Sequence, residues 1–60
     1  MQDIRIKIDA FRAEAEDCDL IAKLATSPQK RDLFTQLARR FRQMVDDLEA
    51  VLRDPPKKAG

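Results

Sequence analysis

The chain has 60 residues, of which 38% are charged, and its formal net charge is +1. A chain of this length forms one small domain at most and buries only about 60% of its unfolded surface, so a disulfide, a metal or a partner usually stabilises it. A single cysteine excludes an intramolecular disulfide within these residues, and the absence of histidine excludes zinc sites of paired Cys and His. The near-neutral charge excludes a polybasic nucleic-acid tail.

The composition favours a helical protein without a membrane span. No apolar run approaches the roughly 18 residues of a membrane span, and no basic N-terminal region precedes a hydrophobic core. There is one glycine and no Tyr or Trp, which argues against a turn-rich β domain. We therefore expect an all-α, soluble protein in the reducing cytoplasm.

The first segment carries apolar residues at alternating spacings of four and three, which is a heptad seam of the coiled-coil type. These residues are Ile4, Ile8, Phe11, Ala15, Cys18, Ala22 and Ala25. Asp3 stands at the expected N-cap. Residues 4–8 also alternate with the period of a strand, but the alternation stops at Ala10 and no second strand candidate exists. The pattern predicts a helix over about 3–25.

The second segment repeats the pattern and predicts a helix over about 28–53. Its seam is predicted to be Phe34, Leu37, Phe41, Met44, Leu48 and Val51. Ala38, Val45 and Leu52 widen this stripe on one side, and Leu33 widens it on the other. Asp54-Pro55-Pro56 ends the helix because proline disfavours helix before it and lacks a donor. We expect a hairpin domain over 1–54 and a flexible tail over 55–60.

A corner over 26–28 is predicted between the two helices. Ser27 is a good N-cap, and Pro28 suits the first helical position, where its missing N–H costs nothing. Thr26 and Gln29 offer a second cap with capping-box spacing. So short a connection favours antiparallel neighbours, which makes the fold class an antiparallel two-helix hairpin. The alternative is one long helix kinked at the proline.

The charges support the antiparallel hairpin, because each helix runs from basic to acidic. With partner residue numbers summing to about 53–55, Glu14, Glu16 and Asp17 lie beside Arg39, Arg40 and Arg42. In the same register Arg5 and Lys7 lie beside Asp46, Asp47 and Glu49. Only antiparallel pairing brings unlike signs together, although the same pairs can form between chains.

Several apolar residues of the first helix lie away from its seam. Ile6, Ala10, Ala13, Leu20 and Leu24 form a line interrupted by Asp17, with Ile21 at its edge. A lone hairpin leaves this line in water, together with Val45 and Leu52. Either the helix simply exposes some apolar surface, or the line is a second interface. We predict an interface made by Ile6, Ala13, Leu20, Ile21 and Leu24. A second copy, giving a four-helix bundle, or another protein would cover it.

The residue types do not favour catalysis. Without His or Tyr the usual nucleophile–base pairs cannot be built, and Cys18 at a seam position is best interpreted as a small buried hydrophobe. The acids Glu14, Glu16, Asp17 and Asp19 flank the seam and indicate a solvated face, not a di-metal site. There is no glycine-rich phosphate loop. We predict no catalytic, cofactor or metal site.

Nucleic-acid binding is the main alternative function. Arg39, Arg40 and Arg42 lie within four residues and could contact phosphates. No aromatic residue outside the core is available to stack on bases, and acids of the first helix partly neutralise the patch.

The corner resembles a pattern in short, uncharacterised bacterial helical-hairpin proteins. The residues that carry the resemblance are Ala22-x-x-Ala25-Thr26-Ser27-Pro28-x-x-Arg31-x-x-Phe34-x-x-Leu37-Ala38, about the middle third of the chain. It implies the hairpin fold and no particular activity. In size and shape alone the hairpin is also similar to the plasmid-encoded repressor-of-primer proteins, which are dimers that bind paired RNA loops.

Together these patterns predict a non-catalytic protein–protein interaction module. It would be a homodimeric helical bundle or a small accessory subunit of a larger assembly, with a nucleic-acid-binding regulator as the alternative.

Overall fold

The computed structural model describes residues 3–54, which form an antiparallel hairpin of two helices, α1 Ile4–Leu24 and α2 Pro28–Arg53. Contacts between residues distant in sequence, such as Phe11 with Phe41, show that α2 folds back along α1. The predicted hairpin is therefore confirmed, and the single kinked helix and the strand over 4–8 are wrong. The predicted tail over 55–60 lies outside the described residues.

Both helices begin at the predicted caps. The Asp3 carboxylate accepts a hydrogen bond from the Arg5 backbone N–H at 2.9 Å. The Ser27 hydroxyl accepts one from the Lys30 backbone N–H at 3.0 Å. Each cap satisfies a donor that the first helical turn leaves unpaired. Ser27, and not Thr26, is the residue that caps α2.

The corner is held by a bond between the two helix ends. The backbone of Ala25 is extended, so α1 ends before it, and Pro28 is the first residue of α2. The Arg31 side chain donates to the Ala25 carbonyl oxygen at 3.3 Å. This bond satisfies a carbonyl at the end of α1 and ties it to the first turn of α2.

The core between the helices is built largely from small side chains. The buried residues of α1 and the corner are Ile8, Ala15, Cys18, Ala22 and Ala25, as predicted for the seam. Phe11 and Phe41 are only half-buried, with ring centroids 5.8 Å apart. In the described part of the chain, no large side chain is below 2% exposure. The hairpin alone therefore encloses little apolar volume.

The seam of α2 is rotated from the predicted one. Ala38 and Val45 are buried, whereas Met44 and Val51 are each 39% exposed. The prediction that Val45 would be left in water is therefore wrong, while Leu52 is exposed as expected. The physical reason is size: alanines line the facing side of α1, and Ala38 and Val45 let α2 approach closely where the longer Leu37 and Met44 would hold it away.

Candidate interaction surface

Two ion pairs close one side of the hairpin, which we call the ionic side. Arg42 pairs with Asp19 at 2.5 Å, and Arg12 pairs with Glu49. All four residues flank the seam at the same heptad position, so the pairs lie in one row along the groove between the helices. Their side chains remain 36–54% exposed. Such exposed pairs set register and direction more than they add stability.

These pairs differ in detail from the predicted ones. Arg42 bonds Asp19 and not Glu14 or Asp17, and Arg5 approaches Asp3 of its own helix instead of an acid of α2. Residue numbers add up to 61 in both cross-helix pairs, beyond the predicted 53–55. Side chains lean toward the N-terminus of their own helix. The tips of two long side chains that meet across antiparallel helices therefore belong to residues with higher numbers, which raises the sum.

The Asp19–Arg42 pair makes stability depend on pH. The hydrogen bond from Arg42 lowers the pKa of Asp19 below its ordinary value of 3.8. A lowered folded-state pKa adds stability that is present above the unfolded pKa and is lost as pH falls through the folded pKa. We expect Asp19→Asn to lower the melting temperature slightly at pH 6–7 and to leave it unchanged below the folded pKa. Thermal melts of both proteins across pH 2–7 measure this; an equal difference at both ends contradicts it.

A shallow groove of about 350 Å³ runs along the ionic side. Its lining is Arg12, Ala15, Glu16, Arg42, Val45 and Asp46. Both arginines are already paired with carboxylates, and two more acids line the same groove. With their partners counted, the groove holds four carboxylates against two arginines, so it is negative overall and offers an anion no unpaired cationic site.

The outer face of α1, on the side away from α2, is apolar and exposed. Ile6 is 67% exposed, Leu20 56% and Leu24 73%. Ala10, Ala13 and Asp17 between them are also exposed. These six residues follow one heptad line, which we call the α1 outer line. Ile21, at its edge, is 40% exposed. All five residues of the predicted interface thus lie in solvent in the hairpin, four of them on this line.

The α2 helix has an exposed heptad line of its own, part of which was predicted to belong to the seam. Leu33 is 54% exposed, and Met44 and Val51 are 39% exposed. Leu37 on the same line is half-buried, and Arg40 and Asp47 complete it. We call these six residues the α2 side line. It borders the side of the hairpin opposite to the ionic side, because the ion pairs occupy the other edge of the seam. The sequence indicates this line, because α2 has two apolar stripes side by side and only one of them can pack against α1.

The three arginines of the predicted nucleic-acid contact do not share one face. Arg42 is paired with Asp19 on the ionic side. Arg39 and Arg40 are both exposed, but neighbouring helical residues point about 100° apart. Arg39 lies toward the ionic side and Arg40 belongs to the α2 side line. The structure therefore spreads these charges around α2.

Cys18 is a buried free thiol, 6% exposed, in the seam. Burial raises the pKa of this thiol, and the nearby carboxylates of Glu14, Asp17 and Asp19 raise it further. A raised pKa keeps the thiol protonated at neutral pH, whereas nucleophilic and metal-binding cysteines need the thiolate.

The part of the chain that the structure describes has neither a cluster of metal ligands nor a membrane span. Residues 3–54 contain no group of three or more Cys, Asp or Glu arranged to hold a metal ion. Neither α1 nor α2 is long and apolar enough to cross a membrane.

Comparison with known proteins gives no relative, since no family model, no curated protein and no solved structure matches the chain. The resemblance of the corner to bacterial helical hairpins stays a prediction.

Proposed function

We propose that this protein is a non-catalytic helical-hairpin module that functions by self-association through the outer face of α1. The observation that carries the proposal is that α1 has apolar residues on both of its faces. One face packs on α2, and on the opposite face Ile6, Leu20 and Leu24 are each at least 56% exposed. A helix that is apolar on both sides is typical of one buried between neighbours. Two copies would form a four-helix bundle, the smallest such assembly.

The small core supports the need for a partner. Of the seven buried residues within 3–54, four are alanines, and the phenylalanines of the seam are only half-buried. Apolar burial contributes about 25 cal/mol per Å², so a seam of small side chains stabilises a chain of this size weakly. Association through the exposed lines adds apolar burial that the hairpin lacks. We also propose a cytoplasmic location, which suits a free buried thiol.

The experiment that tests this function replaces Leu20 and Leu24 by lysine together. Both side chains are exposed in the hairpin, so the hairpin itself has room for lysine, but an apolar interface does not. We expect the double variant to sediment as a single chain of 6.9 kDa at concentrations where the unchanged protein is associated. Its melting temperature should also lose any dependence on concentration.

A matched control adds the same charge to the polar face. Gln36 and Ala50 are exposed on the outer side of α2, and lysine at both positions also adds two positive charges. This control should stay associated. If Leu20→Lys with Leu24→Lys leaves the association state and melting temperature unchanged, the proposal is wrong.

Nucleic-acid binding through Arg39, Arg40 and Arg42 remains a second candidate, supported by the exposure of Arg39 and Arg40. Phosphate contacts release counterions, so such binding weakens steeply between about 50 and 200 mM salt, whereas an apolar interface does not. Titration of a labelled RNA hairpin and a DNA duplex at both salt concentrations separates the two functions. Binding that Arg39→Ala with Arg40→Ala abolishes would favour the regulator.

A further inference from the structure

The two exposed lines of the hairpin have the same length and the same spacing. The α1 outer line is Ile6, Ala10, Ala13, Asp17, Leu20 and Leu24. The α2 side line is Leu33, Leu37, Arg40, Met44, Asp47 and Val51. Both run with spacings of four, three, four, three and four residues, which is the heptad repeat that a neighbouring helix needs. Each helix therefore carries a second seam in addition to the one that holds the hairpin together.

Placed antiparallel, the two lines match at five of their six positions, the exception being Ala10 opposite Asp47. Ile6 then lies opposite Val51, Leu20 opposite Leu37, and Leu24 opposite Leu33. The small Ala13 lies opposite the long Met44, a pairing of sizes that lets helices interdigitate. In this register the numbers of facing residues add up to 57. Within the hairpin the same sum is 52 for the Phe11–Phe41 pair and 61 for the two ion pairs, so the two registers are close.

One charged residue of each line matches as well. Each line is interrupted in its middle: the α1 outer line by Asp17 and the α2 side line by Arg40. The antiparallel register places these two residues opposite each other. Asp47, the second charge of the α2 side line, falls opposite Ala10 and one helical turn from Lys7. An unlike pair in mid-interface fixes register and suppresses other alignments.

From this match, and resting on the proposed self-association, we propose that the α1 outer line of one copy packs antiparallel on the α2 side line of a second copy, with Asp17 opposite Arg40. The two lines lie on different helices, so each copy gives one such contact and receives another. Contacts of this kind close into a ring of copies where the rotation between copies allows closure, and otherwise continue as an open filament.

Exchanging the two charges tests this pairing. In Asp17→Lys every contact sets the new lysine against Arg40, and in Arg40→Glu every contact sets the new glutamate against Asp17. Like charges facing each other in an interface are costly, so we expect each single variant to associate at least about tenfold more weakly in sedimentation. The double variant Asp17→Lys with Arg40→Glu restores an unlike pair at every contact. It should recover most of the lost association.

Two controls make the result specific. Arg39→Glu makes the same change at a neighbouring exposed residue outside the α2 side line, and it should associate like the unchanged protein. Mixing Asp17→Lys with Arg40→Glu, one of them labelled with nitrogen-15, should give mixed assemblies in native mass spectrometry, since the introduced lysine and the introduced glutamate meet only between different chains. Circular dichroism should show that each variant keeps its helix content at high concentration.

The outcomes separate this pairing from the proposed function. If the unchanged protein associates but the single variants do so equally well, the pairing is wrong and self-association stands. If the single variants dissociate and the double variant does not regain association, Asp17 and Arg40 do not face each other and the pairing is wrong. If the unchanged protein is a single chain at all concentrations, both this pairing and the proposed self-association fail.

Discussion

Replacing Ala38 by aspartate is expected to unfold the protein at neutral pH. Ala38 is 1% exposed at the centre of the seam, so an aspartate there would place its carboxylate in an apolar, buried position. An uncompensated buried charge costs about 3–5 kcal/mol. A chain of this length has a total stability of roughly 3–9 kcal/mol at about 0.05–0.15 kcal/mol per residue, so the loss is of the same size as the stability itself.

Far-ultraviolet circular dichroism with urea titration measures the effect. Arg39→Asp is the matched control, because it introduces the same side chain one residue further along, where α2 is exposed. The control should remain helical with a change of only about a few tenths of a kcal/mol, as surface substitutions usually do. Equal unfolding midpoints for the two variants would contradict the position of the α2 seam.

Enlarging Ala15 to leucine is the second change with a large expected effect. Ala15 is 1% exposed and lines the same groove between the helices as Val45 of α2. Added methylenes in a tight seam force side chains off their rotamers and push the helices apart, at a cost of about 1–3 kcal/mol. Separation of the helices would also lengthen the ion pairs of the ionic side, which join α1 to α2.

The control for this change is Ala50→Leu on the exposed outer side of α2. Alanine and leucine have similar helix propensities, so the control isolates packing from helix formation. We expect urea denaturation to show a lower midpoint for Ala15→Leu and an unchanged midpoint for Ala50→Leu. A more stable Ala15→Leu would mean that the seam holds unfilled space and that the close approach of the helices is wrong.

The sequence alone predicts the helices and their ends well. Asp3 and Ser27 cap helices because their short oxygen-bearing side chains bond nearby N–H groups, a local effect that needs no tertiary structure. The sequence also predicts the α1 seam, because the other apolar line of this helix, the α1 outer line, is interrupted by Asp17. The corner followed from Ser27 and Pro28, whose chemistry suits a helix start and no helix interior.

The seam of α2 could not be chosen from the sequence. Two apolar lines lie side by side on this helix, and hydrophobic spacing alone does not tell them apart. The choice depends on how closely the helices approach, which small residues on both sides decide, and on the ion pairs of Arg42 and Glu49 along one edge. Spacing alone predicts the exposed outer face of α1, whereas the α2 side line depends on the exposure of Met44 and Val51, which only the packing of the helices decides.

The most direct test of the central claim is the mass of the unchanged chain in solution. Sedimentation equilibrium across micromolar concentrations should give a multiple of the 6.9 kDa chain mass that falls toward a single chain on dilution, with helix content falling in parallel. That result would mean that further copies complete the apolar core. A mass of 6.9 kDa at every concentration, with or without stable helices, would contradict self-association.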